Sequence, residues 1–91
     1  MTVASRFAEN LIRCRERAGL SQEELGARAS LHRTEIGKLE SGTRAPRIDT
    51  LVKLAGALSV QPSELLEGID WEPASTTRGG FSIADDGPRP G

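Results

Sequence analysis

Across its 91 residues the chain has one cysteine, one histidine, no tyrosine and three aromatic residues. Each scarcity excludes something. A lone cysteine, Cys14, cannot form an internal disulfide and fits a reducing cytoplasm. A lone histidine, His32, leaves no pair for a metal site or a nucleophilic triad. With only Phe7, Trp71 and Phe81 as aromatics, the core falls to Leu, Ile, Val and Ala. No apolar run approaches a membrane span, and the N-terminus lacks the basic-then-apolar pattern of a signal peptide. No nucleophile–base pair, metal cluster or phosphate loop is present, so the sequence points away from an enzyme and implies no cofactor. The net charge of −1 does not by itself advertise a nucleic-acid partner.

What is present is enough for one small domain with a marginal core. Charge is polarised along it. Residues 28–47 carry five basic side chains and two acidic ones, a balance of +3, whereas residues 69–91 carry two basic and four acidic ones, a balance of −2. Distribution matters more than the sum when a polyanion is the partner.

The chain divides near Gly68. Before it, apolar periodicity and break residues predict five helices. Residues 4–18 place Phe7, Leu11, Cys14 and Ala18 on one stripe, and Gly19 ends that helix. Ser21-Gln-Glu-Glu24 is a capping box opening a second helix that runs to about Ala29, with Leu25 and Ala29 inward. A third runs from about Arg33 to Ser41 and closes at Gly42, with Ile36 and Leu39 inward. A fourth spans Ile48 to Leu58, with Leu51, Leu54, Ala55 and Leu58 inward. Pro62 suits the first position of a short fifth helix, 62–67. Residues 69–91 have no helical period and read as a tail. Ile69-Asp-Trp71 and Phe81-Ser-Ile83 are two pieces that alternation allows to be extended, pairing within the chain or across a dimer to cover Ile12. The other reading of this segment is disorder until a partner binds.

The second and third helices form a helix-turn-helix pattern, with Leu31 plugging the corner and Gly26 permitting close approach. Here the sequence resembles a known family. The stretch "LSQEELGARASLHRTEIGKLESGTRAPRIDTLVKLAGALSVQPSELL" is similar to the lambda-repressor and Cro family of phage and bacterial repressors, the xenobiotic-response-element type of regulator. Gly19-Leu20-Ser21-Gln22, Leu25, Ile36, Leu39-Glu40-Ser41-Gly42, Pro46 and Leu54-Ala55 carry the resemblance. It implies an all-α, five-helix DNA-binding domain at residues 1–68; the composition beyond it gives the short non-helical C-terminal tail at residues 69–91. It further implies a cytoplasmic, sequence-specific DNA-binding transcriptional regulator, a repressor acting as a homodimer on a double-stranded operator.

Carried over position by position, the resemblance assigns base contacts to His32, Arg33, Thr34, Gly37 and Lys38. The residues agree: 33, 34, 37 and 38 are neighbours at helical spacing and face away from Ile36 and Leu39. Arginine and lysine suit guanine acceptors, and threonine can donate, accept or offer a methyl group. Glu35 can accept from a cytosine amine or exclude a wrong phosphate. Phosphate contacts fall to Gln22, at the start of the second helix, and to Arg44 and Arg47. Arg15 and Glu40 match a family pair that bridges the first helix to the end of the third, a registration device more than a source of stability. Three departures stand out. Ser30 and Ser59 replace frequent glycines, and Ile12 falls where a polar residue is common. The competing function is an antitoxin or coactivator-like module that binds another protein through the acidic tail. Leu66 and Ile69, on the fifth helix and the tail after it, are the candidate dimer surface.

Overall fold

The computed structural model describes residues 1–74 and 78–84. Five helices come first: α1 (Val3–Arg17), α2 (Gln22–Ala29), α3 (Arg33–Glu40), α4 (Ile48–Leu58) and α5 (Pro62–Leu65). Two short strands follow, β1 (Ile69–Glu72) and β2 (Gly80–Ile83). No helix among the described residues is long and apolar enough to cross a membrane.

Local polar groups start most of these helices. At α2 the Ser21 hydroxyl accepts the Glu24 N–H at 3.0 Å, and the Glu24 carboxylate accepts the Ser21 N–H at 2.8 Å. Those bonds favour the charged form and hold the Glu24 carboxyl below its ordinary range. Thr2 and Ser5 make the same reciprocal arrangement at α1. That box is hidden in the sequence because serine stands where glutamate or glutamine is usual. Pro62 occupies the start of α5, where its missing N–H is not needed.

The apolar stripes meet in one core: Phe7, Leu11 and Cys14 from α1, Leu25 and Ala29 from α2, Ile36 and Leu39 from α3, and Leu51, Leu54, Ala55 and Leu58 from α4, with Leu65 of α5 closing it. Leu20, Leu31, Val60 and Ile69 pack around its edge. Burial pushes the Cys14 thiol pKa up, which makes it an inert packing group. One expectation needs correction. Ala18 is not on the buried stripe: α1 stops at Arg17, and Ala18 is its exposed C-cap. Gly26 makes room for the turn's backbone and for the start of α3, whose Arg33 N would lie 3.4 Å from a Cβ there. A Cβ there would lie 2.6 Å from the Leu31 carbonyl oxygen, and the Leu31 N–H donates to the Gly26 carbonyl at 2.8 Å.

The segment after Gly68 adds a small antiparallel sheet to the helices, so the all-α description holds for residues 1–68 only. Ile69 pairs with Ile83, Asp70 with Ser82, Trp71 with Phe81 and Glu72 with Gly80. The Ala84 N–H donates to the Gly68 carbonyl, which leaves Trp71 and Phe81 facing each other in a non-hydrogen-bonded pair, where side chains lie closest. Their rings meet edge to face, 5.1 Å apart at 79°. Ile69 and Ile83, on the same face, are half-buried, whereas Trp71 and Phe81 are 56% and 61% exposed. Ile12 is half-buried, and β2 packs against α1.

Two side chains of α1 tether this segment. Asn10, fully buried, donates through Nδ2 to the carbonyls of Leu65 and Glu67, both at 2.9 Å. The buried Arg6 donates through Nε to the Glu67 carbonyl at 3.1 Å. The orphan carbonyls at the end of α5 thus find donors on α1. Gly68 adopts φ +83°, and a Cβ there would press on the Arg6 guanidinium at 2.9 Å. Of the tail charges, Asp85, Asp86 and Arg89 lie outside the described residues.

Ser30 and Ser59 both sit in the left-handed region, at φ 56° and 57°, as C-caps of α2 and α4. The left-handed region costs a non-glycine residue about 1–2 kcal/mol, partly offset by the chain entropy that a glycine would lose. Ser30→Gly and Ser59→Gly are therefore expected to stabilise the fold by about 0.5–1 kcal/mol each. Urea denaturation measures this, and an unchanged or lowered midpoint contradicts the argument. Truncation after Gly68 removes Ile69 from the edge of the core and is expected to lower the melting temperature; equal melting of both forms would mean that the hairpin contributes nothing.

Candidate nucleic-acid interface

The turn Ser30–His32 joins α2 to α3, which pack directly on each other. His32 is the N-cap of α3, and its Nδ1 accepts the Thr34 N–H at 3.0 Å. An accepting Nδ1 places the ring proton on Nε2, which keeps a donor available. Of the five residues assigned to base contact, His32, Arg33, Thr34 and Lys38 are exposed. Gly37 is half-buried, and a Cβ on it would meet nothing within 4 Å, so its outer side is open. Ile36 and Leu39 are fully buried on the opposite face. Packing of two apolar residues therefore dictates which side of α3 remains free.

The loop after α3 is tied to its last turn. The hydroxyls of Ser41 and Thr43 donate to the Lys38 carbonyl at 2.8 and 3.1 Å. Arg44 follows and forms an ion pair with Glu35 on α3. Arg47, the N-cap of α4, is largely exposed and lies 3.5 Å from the Asp49 carboxylate. Arg44 and Arg47 thus share the border of the α3 surface, with Arg44 already engaged by an acid of α3.

Gln22 belongs to a different cluster. Its Nε2 donates to Glu40 Oε1 at 2.9 Å. Glu40 also accepts a two-pronged contact from Arg15, Nε to Oε2 at 2.6 Å and Nη2 to Oε1 at 3.0 Å. The third arm of Arg15, Nη1, donates to the Leu20 carbonyl at 2.8 Å. Glu40 and Arg15 are 5% and 15% exposed. The Glu40 hydrogen bond raises the Arg15 pKa further, against the opposing effect of burial. The start of α2 is therefore bound to the far end of α3 through Gln22 and Glu40.

Neither Glu35–Arg44 nor Gln22–Glu40 was assigned from the sequence. The partners are 9 and 18 residues apart and sit across a loop or a helix pair, where no local spacing rule applies. Only the single acid Glu35, on an otherwise basic face, hints at the first.

A helix-turn-helix family model matches residues 11–65. The control protein C.BamHI of Bacillus amyloliquefaciens is 43% identical over 51 residues; the match spans 56% of this chain and 63% of that protein, under two thirds of its length. The uncharacterized HTH-type transcriptional regulator y4dJ of Sinorhizobium fredii is 37% identical over 76 residues, covering 84% of this chain and 99% of that protein. Among solved structures, the restriction-modification controller protein C.AhdI from Aeromonas hydrophila superposes with a TM-score of 0.66 at 37% identity, covering 68% of this chain and 94% of that one.

Removing one partner of a buried ion pair strands the other charge. Glu40→Ala should destabilise the fold by about 3–5 kcal/mol, whereas the double change Arg15→Met with Glu40→Leu should recover most of that loss. Chemical denaturation of the two variants decides it. A Glu40→Ala loss below about 1 kcal/mol would place the cluster in the class of solvated pairs.

Proposed function

The chain belongs to the helix-turn-helix family, and on that premise we propose how it engages DNA and to what end. It is a DNA-binding transcriptional regulator. It works in the cytoplasm as a repressor, as a homodimer that sets two α3 helices into successive major grooves of an operator. Arg33, Thr34 and Lys38, with the Nε2–H of His32 and the open side of Gly37, read base edges. Gln22, Arg44 and Arg47 hold the sugar-phosphate backbone. Residues 1–68 carry this activity, and residues 69–91 are an appended segment.

The observation that carries the reading is the outer side of α3. Four exposed polar side chains lie opposite the fully buried Ile36 and Leu39, beside a loop that supplies two more arginines. The local balance of +3 over residues 28–47 attracts phosphate despite the net charge of −1, because the field near a surface is local. One observation favours a second reading, protein interaction through the tail. The hairpin face that begins at Ile69 and Ile83 continues to the exposed Trp71 and Phe81. Pull-down with wild-type protein and a Trp71→Ala, Phe81→Ala variant tests it: a partner that the variant loses supports this reading, and equal capture refutes it.

Selection from a random duplex pool tests the main proposal and yields half-site, spacing and symmetry together. On the selected site, Arg33→Ala should cost about 1–3 kcal/mol and relax preference at one base pair. Equal weakening on selected and random DNA would remove the base-reading role. Arg47→Ala should weaken all sequences alike and flatten the salt dependence by about 0.9 in slope. An unchanged slope would mean that Arg47 meets no phosphate.

A further inference from the structure

Glu35 is the acid of the first turn of α3, on a helix whose outer side meets a polyanion if the DNA-binding reading above holds. An unpaired carboxylate there repels phosphate. In the structure it is not unpaired: Arg44 reaches back from the loop and neutralises it. The Glu35 side chain is 27% exposed and the Arg44 side chain 51%, so the acid is the more covered partner and the base the outer one. The pair joins two walls of a depression lined by Leu31, His32, Glu35, Arg44, Arg47 and Thr50. One wall is the start of α3, anchored by the Glu35 N–H donating to the His32 carbonyl at 2.9 Å. The other is the loop fastened to Lys38 through Ser41 and Thr43.

We infer that Glu35 is a positioning residue that withholds Arg44 from phosphate on non-operator DNA and thereby limits non-specific binding. Non-specific affinity comes almost entirely from cations that replace condensed counterions along the backbone. An arginine committed to an internal carboxylate replaces none. Arg44 joins the phosphate contacts once α3 is seated in its operator groove and the backbone is held against the loop, where phosphate competes with Glu35 at short range. Ions exchange across one guanidinium: phosphate oxygens replace the Glu35 carboxylate as its hydrogen-bond acceptors.

The test is binding of wild type, Glu35→Gln, Arg44→Ala and the double variant to a random-sequence duplex over a salt series, followed by fluorescence anisotropy. Glu35→Gln should tighten binding several-fold and steepen the plot of log K against log salt by about 0.9, one extra phosphate contact. In the Arg44→Ala background, Glu35→Gln should not steepen the slope. A slope unchanged by Glu35→Gln overturns the inference. An equal steepening in the wild-type and Arg44→Ala backgrounds overturns it as well, because removal of a negative charge then explains the effect. Wild-type protein with no salt-dependent DNA binding overturns the DNA-binding reading and this inference together; wild-type binding with either failed slope result overturns this inference alone.

Discussion

The position of α3 depends on one buried carboxylate. Glu40 stands at the last residue of that helix and collects three hydrogen bonds, two from Arg15 of α1 and one from Gln22 of α2. Arg15 in turn holds the carbonyl of Leu20, in the turn between α1 and α2. Three helices and a turn are thereby referred to a single charged group. Apolar packing of Ile36 and Leu39 is non-directional and tolerates small rotations. A bidentate guanidinium–carboxylate contact has a fixed plane and length, so it sets the roll of α3 where the core alone would leave freedom. Such a pair brings little net stability once desolvation is counted. Its value is geometric: it fixes the roll of α3 against α1 and α2.

A second tether works at the other end of α1. Asn10 and Arg6 supply donors to the carbonyls that α5 leaves unpaired. Four-residue α5 has too few internal hydrogen bonds to persist alone. It is held by Leu65 in the core and by these donors, and the hairpin begins directly afterwards. The same helix therefore positions α3 through Arg15 and the C-terminal unit through Arg6 and Asn10. Most of this domain's order passes through α1, which suits a chain whose core is too small for redundant contacts.

Charge on the interface is arranged rather than merely abundant. Arg33 and Lys38 project from α3, while Arg44 and Arg47 border it, each beside an acid. Each pairing offsets one positive charge beside α3. Discrimination between sequences is a difference of affinities, and lowering the wrong one is as effective as raising the right one.

By itself the sequence determined the helices, their order and the side of each that is buried. Those follow from period, caps and breakers, all of which act within a few residues: Ser21 with Glu24, Pro62 at the start of α5, Ile36 with Leu39. The left-handed Ser30 and Ser59 were legible too, as residues standing at positions that favour glycine. Tertiary structure alone decided the pairings between distant polar groups. Arg44 reads from the sequence as a free phosphate ligand, and Gln22 likewise, yet each is engaged by an acid that folding brings alongside. Ala18 reads as core because the apolar stripe continues, but the helix ends one residue earlier. The hairpin was legible as two alternating pieces, while its partner strand, its register and its anchorage to α1 were not. The physical reason is range. Backbone propensity and amphipathic period are local properties, whereas an ion pair or a strand pairing needs two chain segments whose distance only the packed core sets.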